Sequence, residues 1–203
     1  LGPMQVEGHA PRVLAGGLKT LERHRPILWF EHGEAVAPEV SSLPAHSKGH
    51  VTFGSCNKLA KISDETVELW SRVLSSIEHS HLLIRTYGLD DPQVRESLLT
   101  RFEQAGINSA RIELLGGCSH QELLDSYNRI DIALDSYPYS GGLTTCEALW
   151  MGTPVITVAE HRFASLHSTS HLANAGLSEF IARDFDEYVA IAQACAPSSH
   201  SRA

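Results

Sequence analysis

The chain has 203 residues, enough to bury a core of its own and few enough for one domain with an appendage. Hydrophobic residues make up 42% and charged residues 20%, the proportions of a folded globular protein. A formal net charge of -8, with no block of Lys or Arg, argues against a nucleic-acid groove or an anionic membrane as the main partner, and leaves room for a local cationic pocket.

Residues 1–34 carry an amphipathic stretch, PRVLAGGLKTLERH, between MQVEGH and the apolar run ILWFEH. The segment EAVAPEVSSLPAHSKGH that follows has no period and reads as a linker over 35–49. From His50 the pattern changes, and short β-prone runs alternate with helical ones. VTFGSC precedes DETVELWSRVLSSI, LLIRTY precedes PQVRESLLTRFEQAG, and RIELLG precedes HQELLDSYNR. DIALDS then precedes TTCEALWMG, and PVITVA precedes FASLHSTSHLANAG.

The strand runs are apolar on both faces, and the helices between them carry stripes at i, i+3 and i+4. Leu69, Val73, Leu74 and Ile77 make one such stripe; Leu98, Leu99 and Phe102 make another. Apolar strands separated by helices predict an α/β, doubly wound, Rossmann-like parallel sheet covered on both faces. Ligands of such sheets bind beyond the carboxyl ends of the strands. The loops after VTFGSC, RIELLG, DIALDS and PVITVA are therefore the places for a site.

The first of these loops, GSCNKLAKIS, leads to a helix whose expected N-cap is Ser63, with Asp64 and Glu65 in the first turn. Lys58 and Lys61 lie in it, either solvated or reaching over the sheet edge to neutralise a diphosphate. The stretch YSGGLTTCEALWMG poses a second choice. Thr144 and Glu147 fit a capping box, as Ser119 and Glu122 do ahead of ELL. Capping does not require Gly141 and Gly142 together, whereas paired glycines before a helix let an anion approach its unpaired N–H groups. A carboxylate one turn further in suits ribose hydroxyls. Spacing alone leaves capping and phosphate binding both open.

The four cysteines, Cys56, Cys118, Cys146 and Cys195, form no C-x-x-C pair and are expected as free thiols in a reducing cytosol. His167 and His171 stand four apart but lack a third ligand, so no metal site is expected. No run is long and apolar enough to span a bilayer and none reads as a signal peptide, so a cytoplasmic location is expected. A first residue of Leu1 in place of Met is expected of a piece of a longer protein.

VTFGSCNKLAKIS, LLIRTYGL, SYNRIDIALDSYPYSGGLTTCEALWMGTPVITV and FASLHSTSHLANAGL together resemble the C-terminal catalytic lobe of bacterial O-linked N-acetylglucosamine transferases of the SPINDLY type, over roughly residues 50–189. The resemblance implies one lobe of a GT-B glycosyltransferase, over 50–195, with a nucleotide sugar bound in the cleft. It implies that Lys61 contacts the UDP diphosphate and stabilises the leaving group. Asn57 and Lys58 take the neighbouring loop positions. Gly141, Gly142, Leu143 and Thr144 match the loop and helix start around the diphosphate, and Glu147 matches the acidic residue that holds the ribose. Leu123 stands where a uracil-contacting histidine is frequent, and His120, one turn earlier, is the expected substitute. Leu143 replaces a hydroxyl residue, Leu166 an arginine, and Ala159-Glu160 the usual Pro-Gly.

The implied reaction is inverting transfer of GlcNAc from UDP-GlcNAc, the donor substrate, to a Ser or Thr hydroxyl of an acceptor protein. No further cofactor or metal is implied. The family's N-terminal lobe and acceptor-binding helical repeats are expected from another segment or chain. The alternative is a nucleotide-binding module without catalysis, left by gene fusion or truncation. Residues 1–34 resemble the last strand-helix-strand of FkbM-type methyltransferases, with Gln5 in place of the usual Asp, and 196–203 read as a polar tail.

Overall fold

A computed structural model describes residues 39–196. The methyltransferase-like stretch 1–34 and all of the tail except Ala196 lie outside the described residues. In chain order, helix α1 (Pro44–Lys48) precedes β1 (Thr52–Ser55), α2 (Asp64–Ser76), β2 (His81–Arg85) and α3 (Pro92–Gln104). Then come β3 (Ile112–Leu115), α4 (His120–Tyr127), β4 (Ile132–Leu134) and α5 (Leu143–Trp150). The series ends with β5 (Val155–Val158), α6 (Leu166–Asn174), β6 (Ile181–Ala182) and α7 (Phe185–Cys195).

The strands pair in parallel throughout, in the order β3-β2-β1-β4-β5-β6. Helices α2, α3 and α7 pack together on one face, and α4, α5 and α6 on the other. This is the expected doubly wound α/β unit. Its winding reverses between the neighbours β1 and β4, whose exit loops diverge and open a crevice at the carboxyl edge.

Burial follows the sequence pattern. Leu69, Val73 and Leu74 are fully buried on α2, as are Phe53 on β1 and Leu82 and Ile84 on β2. Leu98 and Phe102 cover the sheet from α3, while Leu99 and Ile77 are partly buried at the margin. The edge strand β3 departs from the expectation of two apolar faces: Glu113 is exposed between buried Ile112 and Leu114. An edge strand has no neighbour on one side, and a charge there discourages pairing with another chain.

Side-chain caps set the starts of α2, α3, α4 and α7. Ser63 accepts the N–H of Thr66 at 3.1 Å. Asp91 accepts that of Gln93 ahead of Pro92, whose missing N–H costs nothing in the first turn. Ser119 and Glu122 form the reciprocal capping box expected of them. The stretch read as a linker differs from expectation in its described part. Pro44 starts the short helix α1, Gly49 ends it in a left-handed conformation (φ 72°), and the buried Asp131 carboxylate accepts the Ala45 N–H at 2.8 Å. Hydrogen bonds to Asn128, Arg129 and Asp131 hold the segment to the domain without any apolar period.

Candidate functional site

The site is assembled from the loops that leave β1 and β4. After β1 the chain turns through Asn57 and Lys58 into a single 3-10 turn, Leu59–Lys61, that delivers Lys61 across the crevice. Its Nζ donates to the carbonyl of Ser140 at 2.6 Å and lies 4.1 Å above the ring of Tyr139. The lysine thus docks on the residues just ahead of Gly141 and Gly142. Burial pushes its pKa down; the negative charge of Asp135 works against that, and the positive charge of Lys58 adds to it. Lys58 itself is exposed.

The loop after β4 is fastened at many points. Ser140 donates from both its N–H and its hydroxyl to the Ala164 carbonyl, each at 3.1 Å. The Ser168 hydroxyl donates to the Gly141 carbonyl at 3.1 Å and pairs with that of Thr145 at 2.7 Å. Gly141 is needed there for space: a Cβ would lie 2.4 Å from the Thr145 hydroxyl. At Gly142 an added Cβ would meet nothing within 4 Å. Gly142 is the N-cap residue of α5 and supplies no side-chain cap.

The capping box available to Thr144 and Glu147 does not form. Helix α5 begins at Leu143, so Thr144 lies inside its first turn, and both side chains are drawn elsewhere. The Thr144 hydroxyl donates to the Asn57 side-chain oxygen at 3.1 Å, which bridges the two loops. Glu147, 3% exposed, pairs with His120 Nε2 at 2.8 Å, across from the first turn of α4. Among the described residues, no protein acceptor takes the N–H groups of Gly142, Leu143 or Thr144. These are the donors that every helix start leaves over, and they bring the positive end of the α5 dipole with them.

The departures noted in the sequence differ in their surroundings. Leu143 is 59% exposed. The Glu160 carboxylate accepts hydrogen bonds from the hydroxyls of Tyr137 and Ser165. Leu166 is exposed and Leu123 partly buried against the core. A cavity of about 10 Å³, room for roughly one water, lies beneath the loops among Ser55, Asn57, Asp135 and Thr144. Burial pushes the pKa of Cys56 beside it up to about 12, which favours the neutral thiol. All four cysteines are free.

Among the described residues, no group of three or more His, Cys, Asp or Glu side chains is placed to hold a metal ion. His167 instead meets the ring of Phe163 edge-on at 4.9 Å. No helix among the described residues is long and apolar enough to cross a membrane.

The structure brings Asn57, Lys61, His120, Gly141, Gly142, Thr144 and Glu147 to one edge of the sheet. One participant went unsingled in the sequence: Asp135, at the end of β4, whose buried carboxylate accepts from both loops. Its signal was present in DIALDS, where a second carboxylate closes the apolar Ile132-Ala133-Leu134 run.

Comparison with known proteins agrees with this architecture. The chain is 38% identical over 154 residues to an Arabidopsis thaliana protein, the probable UDP-N-acetylglucosamine–peptide N-acetylglucosaminyltransferase SPINDLY, covering 75% of this chain and 17% of that protein. It therefore spans a minor part of the length of its curated relatives. A Thermobaculum terrenum O-GlcNAc transferase mutant superposes with a TM-score of 0.73 at 37% identity, over 80% of this chain and 32% of that one. An E. coli trehalose-6-phosphate structure bound with UDP-2-fluoro glucose shares the fold alone, at a TM-score of 0.50 and 14% identity over 89% of this chain and 41% of that one. With the model of glycosyl transferase family 41 matching residues 40–201, the chain belongs to that family.

Proposed function

We propose that this chain supplies the UDP-binding lobe of a protein O-GlcNAc transferase, with the diphosphate of UDP-GlcNAc seated at the mouth of α5. The carrying observation is the convergence of one ammonium and three unclaimed backbone N–H groups beside Gly142, where a side chain would have room and none stands. An anion gains from each of these donors. Lys61 can keep its bond to Ser140 and still offer two protons, since an ammonium has three. Glu147, buried and one turn further along, is placed to accept ribose hydroxyls once His120 yields its place.

In the transfer step the acceptor hydroxyl gives its proton up to water and its oxygen bonds to C1 of the sugar. The C1–O bond to the β-phosphate breaks and its electron pair stays on that oxygen. Charge develops there, so donors aimed at it lower the barrier more than they tighten the ground state. Losing one such donor costs on the order of 3 to 4 kcal/mol in the transition state. Lys61 and the α5 N–H groups fill that role.

A second reading, a module that holds nucleotide without turnover, is favoured by Leu143, which brings a hydrocarbon to the mouth where a hydroxyl would add a donor. Calorimetry with UDP tests what the two share. Wild-type chain is expected to bind, and Lys61→Ala to lose at least about tenfold in affinity, as for a charge-assisted hydrogen bond. No heat at millimolar UDP overturns both readings. Transfer to Ser/Thr peptides, with the remaining segments of the protein supplied, then separates enzyme from module.

A further inference from the structure

Asp135 directly follows β4 at the point where the sheet reverses its winding, and it is 3% exposed. Oδ1 accepts from the Gly141 N–H at 2.6 Å, the Ser136 N–H at 3.0 Å and the Asn57 amide at 3.4 Å. Oδ2 accepts from the Thr157 hydroxyl at 2.7 Å. Its backbone carbonyl takes the Trp70 indole N–H at 3.1 Å and the Tyr188 hydroxyl at 3.2 Å, so the residue is fixed from both helical layers and the sheet. Burying a carboxylate is costly, and none of these partners is a cation. A strand end alone does not call for one.

What the carboxylate does is take one particular donor out of the loop. Gly141 N–H points inward to Oδ1, and the next three N–H groups, of Gly142, Leu143 and Thr144, are left without protein acceptors among the described residues. Through Asn57, which also receives the Thr144 hydroxyl, the same carboxylate ties the β1 loop to the first turn of α5. We propose that Asp135 is a positioning residue for the diphosphate: it draws Gly141 inward and aims the α5 N–H groups at the mouth, with its negative charge acting on the Lys61 ammonium beside them. The proposal rests on the nucleotide reading of the loop.

The electrostatic half has a direction. Burial lowers the pKa of Lys61 and Asp135 opposes it; Lys58 is the other charge that faces the ammonium, and the Tyr139 ring lies beneath it. Removing the carboxylate charge lets Lys61 lose its proton at a lower pH.

Asp135→Asn keeps the shape and an acceptor oxygen while removing the charge. Two measurements without nucleotide are made first, by NMR: the Gly141 amide proton shift, and the titration of the Lys61 ε-methylene. The Gly141 proton is expected to move upfield and the lysine to titrate at lower pH. UDP affinity is then expected to fall about tenfold at pH 7, with the thermal midpoint recorded separately. Should that variant fail to fold, Thr157→Val, which takes one donor from Oδ2 and leaves the charge in place, is expected to strengthen the bond to Oδ1 and move the Gly141 proton downfield. Unmoved resonances in the folded variant, or UDP bound as tightly as by wild type, overturn the role of Asp135. A wild-type chain that ignores UDP overturns the nucleotide reading itself.

Discussion

Gly141 and Gly142 stand side by side and meet opposite surroundings. A methyl at 141 would press on the Thr145 and Thr144 hydroxyls and on the Asp135 carboxylate, at 2.4, 3.0 and 3.2 Å. A methyl at 142 would stand in open space where the diphosphate is proposed to sit. The two substitutions therefore separate folding from binding. Gly141→Ala is expected to destabilise the chain by about 1–3 kcal/mol, the usual cost of forcing a carbon into a packed site. Gly142→Ala is expected to unfold within about 0.5 kcal/mol of wild type, yet to lose most UDP affinity because the added carbon fills the cradle. Urea unfolding and UDP calorimetry on the same two samples check both. Equal UDP affinity in Gly142→Ala and wild type contradicts the placement of the diphosphate. The sequence showed the glycine pair but could not divide its labour, since that depends on Thr145 and Asp135, which the fold brings together.

Elements were legible in proportion to how much apolar surface they bury. Helices α2 and α3 announce themselves through Leu69, Val73 and Leu74 and through Leu98 and Phe102, because a stripe of large side chains has no other use. Strand β6 has two residues and no period, and α7 buries only Tyr188, Ala192 and Cys195 fully, with Phe185, Val189 and Ile191 half-buried at the margin. Neither was singled out for that reason. The start of α5 misled in a different way: Thr144 and Glu147 have the spacing of a capping box, and only the arrival of Asn57 and His120 from distant loops redirects them. The capping box that does form, at Ser119 and Glu122, holds the first turn of α4 and with it His120. Ser119→Ala is expected to cost about 1 kcal/mol, lowering the thermal midpoint by roughly 2–4 °C in a chain of this size. A scanning calorimetry trace with no shift would show that the cap contributes nothing to α4.

Across the whole molecule the two ends of the sheet carry different chemistry. The carboxyl edge holds the proposed nucleotide site, while the opposite edge gathers His50, His81, Lys48, His79 and Arg111 around the mouths of β1 and β2. The rings of His50 and His81 lie 4.3 Å apart. Arg111 is committed there, donating to the carbonyls of Leu74, Ile77 and Ser80. Burial first, then the positive charges of His50, Arg111, Lys48 and His79, hold His81 below its ordinary pKa. The unfolded chain consequently binds a proton at this position at higher pH than the native one does. Stability is then complete above about pH 6.5 and falls as pH drops toward the native pKa, because the unfolded state takes up the extra proton. Asp131, at the same edge, is raised above its ordinary pKa by burial despite the N–H groups of Thr52 and Ala45. Its native state holds the proton more firmly, so its contribution has the opposite sign, favouring the native state as pH falls. A thermal midpoint that declines from pH 7 to pH 5.5 is therefore expected, and His81→Gln, which keeps a polar side chain without the titration, should flatten that slope. If the variant declines as steeply as wild type, the acid sensitivity belongs to another group, with His171 the next to test, since burial and His167 lower its pKa too.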